Sequence, residues 1–163
     1  MDTVDGILEQ WNRERPELDV SSMGLIGRVK RLYQLLVREM EATFAEHGLN
    51  LASFDVLATL RRAGEPYRLS AGELMASTMV TSGTMTHRID QLVKSGYVER
   101  VPNPEDGRGV LIALTGDGFG VIDAAVGDHV ETQTRLTAGL TPNQFQRLNG
   151  LLKAFLASLD ESP

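Results

Sequence analysis

Residues 81–96 constrain the fold most, because they form one helical pattern with a start signal, a stop signal and two different faces. Thr81 can cap the start through its hydroxyl, and Gly96 is typical of the left-handed residue that ends a helix. The apolar face follows helical spacing and consists of Met85, Ile89, Leu92 and Val93. The opposite face carries uncharged or positive side chains, namely Thr84, His87, Gln91 and Lys94. Such a helix has the shape and the hydrogen-bond donors to enter the major groove of DNA.

A β-hairpin is predicted directly after this helix. Residues 97–101 and 110–114 are strand-like runs, and residues 102–109 between them are rich in Pro, Asn, Asp and Gly. A polar-faced helix followed by a hairpin is the sequence form of a winged helix-turn-helix. Arg108 at the hairpin tip would reach the adjacent minor groove, where negative potential attracts guanidinium groups.

Five motifs follow one another in this part of the chain: FDVLATL at 54–60, LSAGEL at 69–74, TSGTMT at 81–86 with RID at 88–90, GYVER at 96–100 and NPEDGR at 103–108. In order and spacing they resemble the MarR family of bacterial transcriptional regulators, and the flanking helices extend the resemblance over nearly the whole chain. It implies a mainly α (α+β) winged helix-turn-helix fold, with N- and C-terminal helices forming a dimerisation region. One departure is Gly107, which stands where the family usually has an arginine.

The polar helix face and the family motifs together predict which residues contact double-stranded DNA. The predicted contacts on the recognition helix are Thr81, Ser82, Gly83, Thr84, Thr86, His87, Gln91 and Lys94. In the wing they are Asp106 and Arg108. The resemblance implies a palindromic operator, because a two-fold dimer presents two equivalent recognition helices to successive major grooves.

The net charge of −6 is unusual for a DNA-binding protein, but charge is distributed unevenly along the chain. Residues 61–108 carry seven basic and six acidic side chains, for a net charge of +1. Residues 1–60 carry a net −4, and residues 109–163 carry a net −3. The negative charge therefore lies outside the predicted DNA-binding segment. Binding is expected to weaken with added salt, because phosphate contacts release counterions.

The sequence divides into three predicted parts. Residues 1–48 are N-terminal helices for dimerisation and a wall of the ligand pocket, residues 49–115 are the winged helix-turn-helix, and residues 116–163 are C-terminal dimerisation helices. One apolar stripe at helical spacing comprises Leu25, Val29, Leu32, Leu36 and Met40. A second comprises Phe145, Leu148, Leu151, Leu152, Phe155, Leu156 and Leu159. Both stripes could fold back on one core, but a homodimer interface is the preferred interpretation.

Within the family, the chain most resembles the urate-responsive regulators, whose characteristic residues match Trp11, Asp55, Arg88 and Arg100. Each residue also has a simpler interpretation: Trp11 as a packing anchor, Asp55 as a solvated acid, and either arginine as a phosphate contact. Arg88 lies on the shoulder of the recognition helix, roughly 85° from its apolar centre. Two guanidinium groups and an indole suit a flat anion, so the four matches together predict a pocket for a small anionic effector such as urate.

Composition excludes several classes of function. The chain has no cysteine, which excludes disulfides, thiolate metal sites and cysteine redox switches. His47, His87 and His129 show no metal-ligand or nucleophile pattern, so no enzyme, cofactor or metal site is expected. No apolar run is long enough to span a bilayer, and no signal-like segment opens the chain, so a cytoplasmic protein without a membrane partner is expected.

The expected function is therefore a dimeric DNA-binding repressor, released from a palindromic operator by a small urate-like anion. One alternative is a MarR-like regulator that responds to another phenolic or aromatic acid. A second alternative is a winged-helix interaction module that does not bind DNA, against which the donor-rich recognition face argues.

Overall fold

The computed structural model describes residues 1–78, 82–106 and 109–160, with Ser82 described by its backbone alone. The described residues form seven helices and three short strands. In chain order the elements are α1 (Thr3–Glu14), α2 (Ser21–Glu46), α3 (Leu51–Arg62), β1 (Arg68–Ser70), α4 (Ala71–Thr78), α5 (Ser82–Lys94), β2 (Val98–Pro102), β3 (Val110–Leu114), α6 (Gly116–Thr137) and α7 (Pro142–Asp160). This mainly helical order with a small sheet confirms the predicted winged-helix fold.

The chain divides into two units, and the first is Met1–Ala42. Asp2 caps α1, and its carboxylate also accepts a hydrogen bond of 2.8 Å from Nε of Arg28 on α2. Arg28 pairs with Asp5 as well. A Cβ built at Gly24 of α2 would lie 3.1 Å from Cδ1 of Leu8. The two helices of this unit are therefore in close contact, held by a small residue and by ion pairs.

The second unit is Thr43–Pro163, and three of its helices begin at capping residues. Asn50 and Ser53 form a reciprocal capping box at the start of α3. Ser70 and Glu73 form the same arrangement at the start of α4. The hydroxyl of Thr115 accepts from the Gly118 amide at the start of α6. Each cap satisfies backbone N–H groups that a helix leaves without internal partners.

The core of the second unit brings the end of α2 together with α3, α4, α5 and α6. Its largest fully buried side chains include Phe44, Leu57, Leu60, Leu74, Met85 and Ile122. The hydroxyls of Thr43 and Thr132 lie 2.7 Å apart and form a buried hydrogen bond between α2 and α6. Because two polar groups satisfy each other there, the apolar core continues around them at little cost.

The three strands form one antiparallel sheet in the order β1–β3–β2. Arg100 of β2 is paired with Ile112 of β3, and Arg68 of β1 is paired with Ala113. The hairpin β2–β3 is the predicted wing, and it leads directly into α6. At that junction a Cβ built at Gly118 would lie only 1.8 Å from the carbonyl oxygen of Tyr97, so glycine is required for this close approach.

Helix α7 is amphipathic, yet none of the residues Pro142–Asp160 is buried. Its exposed apolar side chains include Phe145, Leu148, Leu151, Leu152, Leu156 and Leu159. Within the part of the chain that the structure describes, no helix has both the length and the apolar character needed to cross a membrane. The division of the sequence at 1–48, 49–115 and 116–163 stays a prediction.

Candidate nucleic-acid interface and ligand site

The recognition helix α5 has the two faces that its sequence predicted. Met85, Ile89 and Leu92 are buried against the core of the second unit. Other residues of the helix are exposed to solvent, and these include Gly83, Thr84, Thr86, His87, Gln91 and Lys94. The amphipathic pattern therefore turns a row of hydrogen-bond donors and acceptors, with one lysine, outward. Side chains of these types contact base edges and phosphates in complexes of proteins with DNA.

The wing begins two residues after Gly96, which adopts a left-handed φ of 76° and ends the turn that follows α5. At the tip, the Asn103 amide donates to the carbonyl oxygen of Gly109 at 2.9 Å, and the Gly109 amide donates to the carbonyl oxygen of Asp106 at 2.8 Å. Asp106 is exposed. Two predicted DNA contacts, Thr81 and Arg108, lie outside the described residues, as does the Gly107 position.

Arg100, one of the four predicted ligand residues, forms an ion pair in this structure. Its Nη2 lies 2.6 Å from Oδ1 of Asp90 on the recognition helix. Asp90 is the one acid in Ser82–Lys94. The ion pair therefore connects β2, the first strand of the wing, to the recognition helix α5.

Asp55 and Arg88 do come together, on α3 and α5 of the second unit. Asp55 is half-buried, and this burial raises the pKa of its carboxyl, while the positive charge of Arg88 acts in the opposite direction. Arg62 and His129 also lower the pKa of Asp55, by smaller amounts. Nη1 of Arg88 is buried and has no hydrogen-bond partner among the described residues. Trp11, the fourth predicted ligand residue, is on α1 of the first unit and is 42% exposed.

His129 of α6 joins this cluster, although no role was predicted for it from the sequence. Its ring lies 4.9 Å from the Phe54 ring and 5.1 Å from the Phe44 ring. Burial lowers the pKa of His129, and the nearby Asp55 partly opposes that shift. The spacing of Ile122, Ala125 and Thr132, all buried, would have placed His129 on the inner face of α6.

A cleft of about 260 Å³ opens beside Arg88 within the second unit. One wall is formed by the turn before α3 and by the first turn of α3, including Asn50, Ala52 and Ser53. The facing wall is the side of α5 that carries His87, Arg88 and Gln91, and Tyr97 also lines the space. Asp55, Arg100 and Trp11 are not among its lining residues, so the cleft includes one of the four predicted ligand residues.

The sequence of this chain is also similar to known proteins. Residues 47–109 match the sequence profile of the MarR family. The HTH-type transcriptional regulator PecS of Dickeya dadantii is 37% identical over 149 residues, which are 91% of this chain and 90% of PecS. The multiple antibiotic resistance protein MarR of Escherichia coli is 36% identical over 111 residues, 66% of this chain and 74% of that protein. The chain belongs to the MarR family.

A solved structure supports the same assignment for this MarR-family chain. A mutant MarR from E. coli, crystallised in complex with operator DNA, superposes with a TM-score of 0.71 at 30% sequence identity. The match covers 90% of this chain and 97% of the E. coli chain. The relatives are transcriptional regulators rather than enzymes, which confirms that expectation from the sequence.

Proposed function

We propose that this MarR-family protein is a dimeric repressor that binds a palindromic operator in double-stranded DNA and is released by a small anionic ligand. The observation that carries the proposal is the outward face of α5, where Thr84, His87, Gln91 and Lys94 are exposed beside the wing. The E. coli MarR structure was solved with operator DNA, which supports the same role for the corresponding helix here. Such a protein works with the chromosome, in the cytoplasm.

Dimer formation is supported by the apolar surface that the terminal helices leave uncovered. Leu151 and Leu156 of α7 are 61% and 62% exposed. Leu25 and Leu32 of α2 are exposed as well. Covering a row of leucines removes apolar area from water, and each fully buried side chain contributes about 1.5–3 kcal/mol. A second copy of the chain would also supply the second recognition helix that a palindrome requires.

The ligand part of the proposal rests on Arg88 and Asp55, with Trp11 and Arg100 contributed by the resemblance to urate-responsive regulators. Arg88 lies on the recognition helix, and its guanidinium has a buried nitrogen with no hydrogen-bond partner within the described part of the chain. An anion that pairs with Arg88 draws this side chain away from the Asp55 charge and tilts α5. Ligand and DNA are then negatively coupled, on the usual allosteric scale of about 1–3 kcal/mol.

Release of operator DNA by ligand tests the proposal directly. A gel shift with the DNA upstream of the protein's own gene should show a complex that urate dissociates. Arg88→Ala should still bind this DNA but should no longer be released by urate. Arg147→Ala, on the exposed surface of α7, is the matched control and should respond as the wild type does. Normal release of Arg88→Ala would refute the ligand site, and absence of any complex would favour a winged-helix interaction module.

Calorimetry with urate, xanthine and salicylate separates urate from the alternative ligands. The buried Arg88 nitrogen, which has no partner among the described residues, favours an anion in general more strongly than it favours urate. Binding of salicylate without binding of urate would identify a regulator of phenolic acids. Binding of urate alone would support the subgroup that the four residues resemble.

A further inference from the structure

Arg61, in the last turn of α3, contacts two aromatic rings and a carboxylate that belong to other segments of the second unit. The central carbon of its guanidinium lies 4.6 Å from the ring centre of Phe119 and 5.4 Å from that of Tyr67. Its Nη2 lies 2.9 Å from Oδ1 of Asp123, and its Nε donates to the same oxygen at 3.0 Å. Phe119 and Asp123 are four residues apart on α6, so one face of that helix presents both to the arginine. We call these four residues the Arg61 cluster.

Tyr67 connects the Arg61 cluster to the base of the wing. Its carbonyl oxygen accepts a hydrogen bond of 3.1 Å from the amide of Leu114, the last residue of β3. Thr115 alone separates Leu114 from the start of α6. The Tyr67 ring lies 5.1 Å from the Phe119 ring in the first turns of that helix. The Arg61 cluster therefore lies where the second strand of the wing passes into α6.

The backbone of Tyr67 indicates that its neighbours hold this junction in place. Its φ is 54°, in the left-handed region that residues with a Cβ seldom adopt. Such a conformation persists where the surrounding contacts favour it. Here the Tyr67 amide donates to the carbonyl oxygen of Gly64 at 2.7 Å, and the ring contacts Arg61 and Phe119. These contacts fix the residue directly before β1, the strand that pairs with β3.

The Arg61 cluster has more influence on the position of these segments than on folding stability. The side chains of Arg61 and Asp123 are 36% and 55% exposed, and an ion pair between exposed groups stabilises a fold little. A planar guanidinium over two rings is directional, however, and a lysine ammonium lacks the flat face that stacks in this way. The cluster therefore favours one arrangement of α3, β1 and α6 around the base of the wing.

We propose that Arg61 is a positioning residue for DNA binding, which holds the wing where it and the recognition helix can contact the operator at the same time. The inference rests on the proposed function, because it concerns how operator DNA is bound. A wing that is already in place does not have to be ordered on binding, so less free energy is lost on association. If the wing occupied its binding position for only part of the time, operator affinity would fall in proportion to that fraction. Arg61 acts through Tyr67 and β3 and does not itself touch DNA.

Arg61→Lys tests this role, because it keeps the positive charge and removes the flat guanidinium. Phe119→Leu removes one of the two rings and keeps an apolar side chain, so a folding defect in one variant leaves the other available. Arg147→Lys, on the exposed surface of α7, is the matched control. Affinity for the DNA upstream of the protein's own gene is measured by fluorescence anisotropy over a range of salt concentrations, and stability is measured by urea denaturation. Each variant is also made together with Arg108→Ala, which removes the arginine predicted at the tip of the wing.

In Arg61→Lys and Phe119→Leu, operator affinity should fall about fivefold, which corresponds to a wing in its binding position about one-fifth of the time. In Arg61→Lys the slope of log K against log salt should equal that of the wild type, because no charge is lost. The urea midpoint of this variant should also change little, since the replaced contacts are partly exposed. In the Arg108→Ala background both losses should be much smaller, because the position of the wing matters only through its contacts with DNA.

Wild-type affinity in either folded variant would overturn the inference. An equal loss with and without Arg108→Ala would also overturn it, since the Arg61 cluster would then support the fold in general. Wild-type affinity in Arg61→Lys with a smaller salt slope in Arg61→Gln would identify a phosphate contact instead. A wild-type protein that forms no complex with this DNA would refute the proposed function and the inference with it, whereas the preceding outcomes refute the inference alone.

Discussion

Arg100 of strand β2 and Asp90 of the recognition helix form an ion pair, with 2.6 Å between Nη2 and Oδ1. Both side chains are about half exposed, at 42% and 55%, so the pair contributes little to folding stability, about 0–1 kcal/mol. The ion pair matters for the position of the wing, because it links strand β2 to the recognition helix at one point. It also engages an arginine that the sequence assigned to ligand binding.

Replacing Asp90 tests whether Arg100 is a ligand contact. In Asp90→Asn, Arg100 loses its carboxylate partner and becomes available to an anionic ligand. If Arg100 contacts the ligand, urate or salicylate should bind this variant several-fold more tightly, since a neutral amide competes less for the guanidinium. Calorimetry on the free protein measures this, with Asp123→Asn on α6 as the control. Unchanged affinity in Asp90→Asn would remove Arg100 from the proposed ligand site.

Lys94 should act as a phosphate contact of the recognition helix. In Lys94→Ala, operator affinity should fall by a similar factor for every operator sequence. The slope of log K against log salt should decrease in magnitude by about one, because one fewer counterion is released. Titrations by anisotropy over a range of salt concentrations measure the slope. Lys153→Ala on α7 is the control, and an unaltered slope in Lys94→Ala would place the lysine away from the phosphates.

The junction between the recognition helix and α6 should tolerate only glycine at position 118. A Cβ there would meet the carbonyl oxygen of Tyr97 at 1.8 Å, a backbone atom that cannot rotate away. Gly118→Ala should therefore lower the free energy of unfolding by about 1–3 kcal/mol or more. Gly120→Ala, two residues along the same helix, should be neutral or stabilising, because among the described residues no atom beyond its own stretch of helix lies within 4 Å of the added Cβ. Urea denaturation at one protein concentration compares them, and equal midpoints for the two variants would contradict the close approach.

The pH dependence of stability should reflect His129. Burial lowers its pKa below the ordinary value of 6.5, so below that pH the unfolded chain binds the proton more readily than the folded state. The free energy of unfolding should therefore decrease as the pH falls through about 6.5. Asp55 acts with the opposite sign, because its raised pKa gives a stabilising contribution at low pH that is lost as the pH rises.

His129→Phe separates the histidine from the remaining acid-sensitive groups. A phenylalanine keeps a ring against the stacked pair of Phe44 and Phe54 but cannot bind a proton, so stability should fall less between about pH 7 and pH 5.5 than in the wild type. Thermal unfolding across this range measures the difference, and His87→Phe at an exposed position is the matched control. An identical pH slope in His129→Phe and the wild type would show that His129 does not carry the effect.

The apolar face of α7 should hold two chains together. Leu156→Glu places a charge in a row of exposed leucines and should shift the protein from dimer to monomer in sedimentation experiments, because a buried unpaired charge is costly. Operator affinity should fall with it, since the paired recognition helices are lost. Asn149→Glu, also exposed on α7, is the control for added charge. A Leu156→Glu variant that remains fully dimeric would exclude this face from the interface.

Local signals in the sequence were sufficient to predict the helices themselves. Asn50, Ser70 and Thr115 are residue types that favour helix starts, and each caps a helix through a hydrogen bond that involves residues within one turn. The apolar stripe from Leu25 to Met40 predicted one helix, and that helix spans Ser21–Glu46. The shoulder position of Arg88 also followed from helical geometry alone, and the structure places this side chain half-buried at the edge of the core.

Only the tertiary structure decided which of those side chains meet. The pairing of Arg100 with Asp90 depends on how a strand crosses a helix, and the approach of His129 to Asp55 depends on how α6 packs against α3. The cleft beside Arg88 is a space between elements, so it has no residue pattern of its own. Periodicity and capping act over one or two turns and can be read along the chain. Ion pairs, buried unpaired nitrogens and clefts arise from packing between segments that are distant in sequence, which a one-dimensional pattern does not contain.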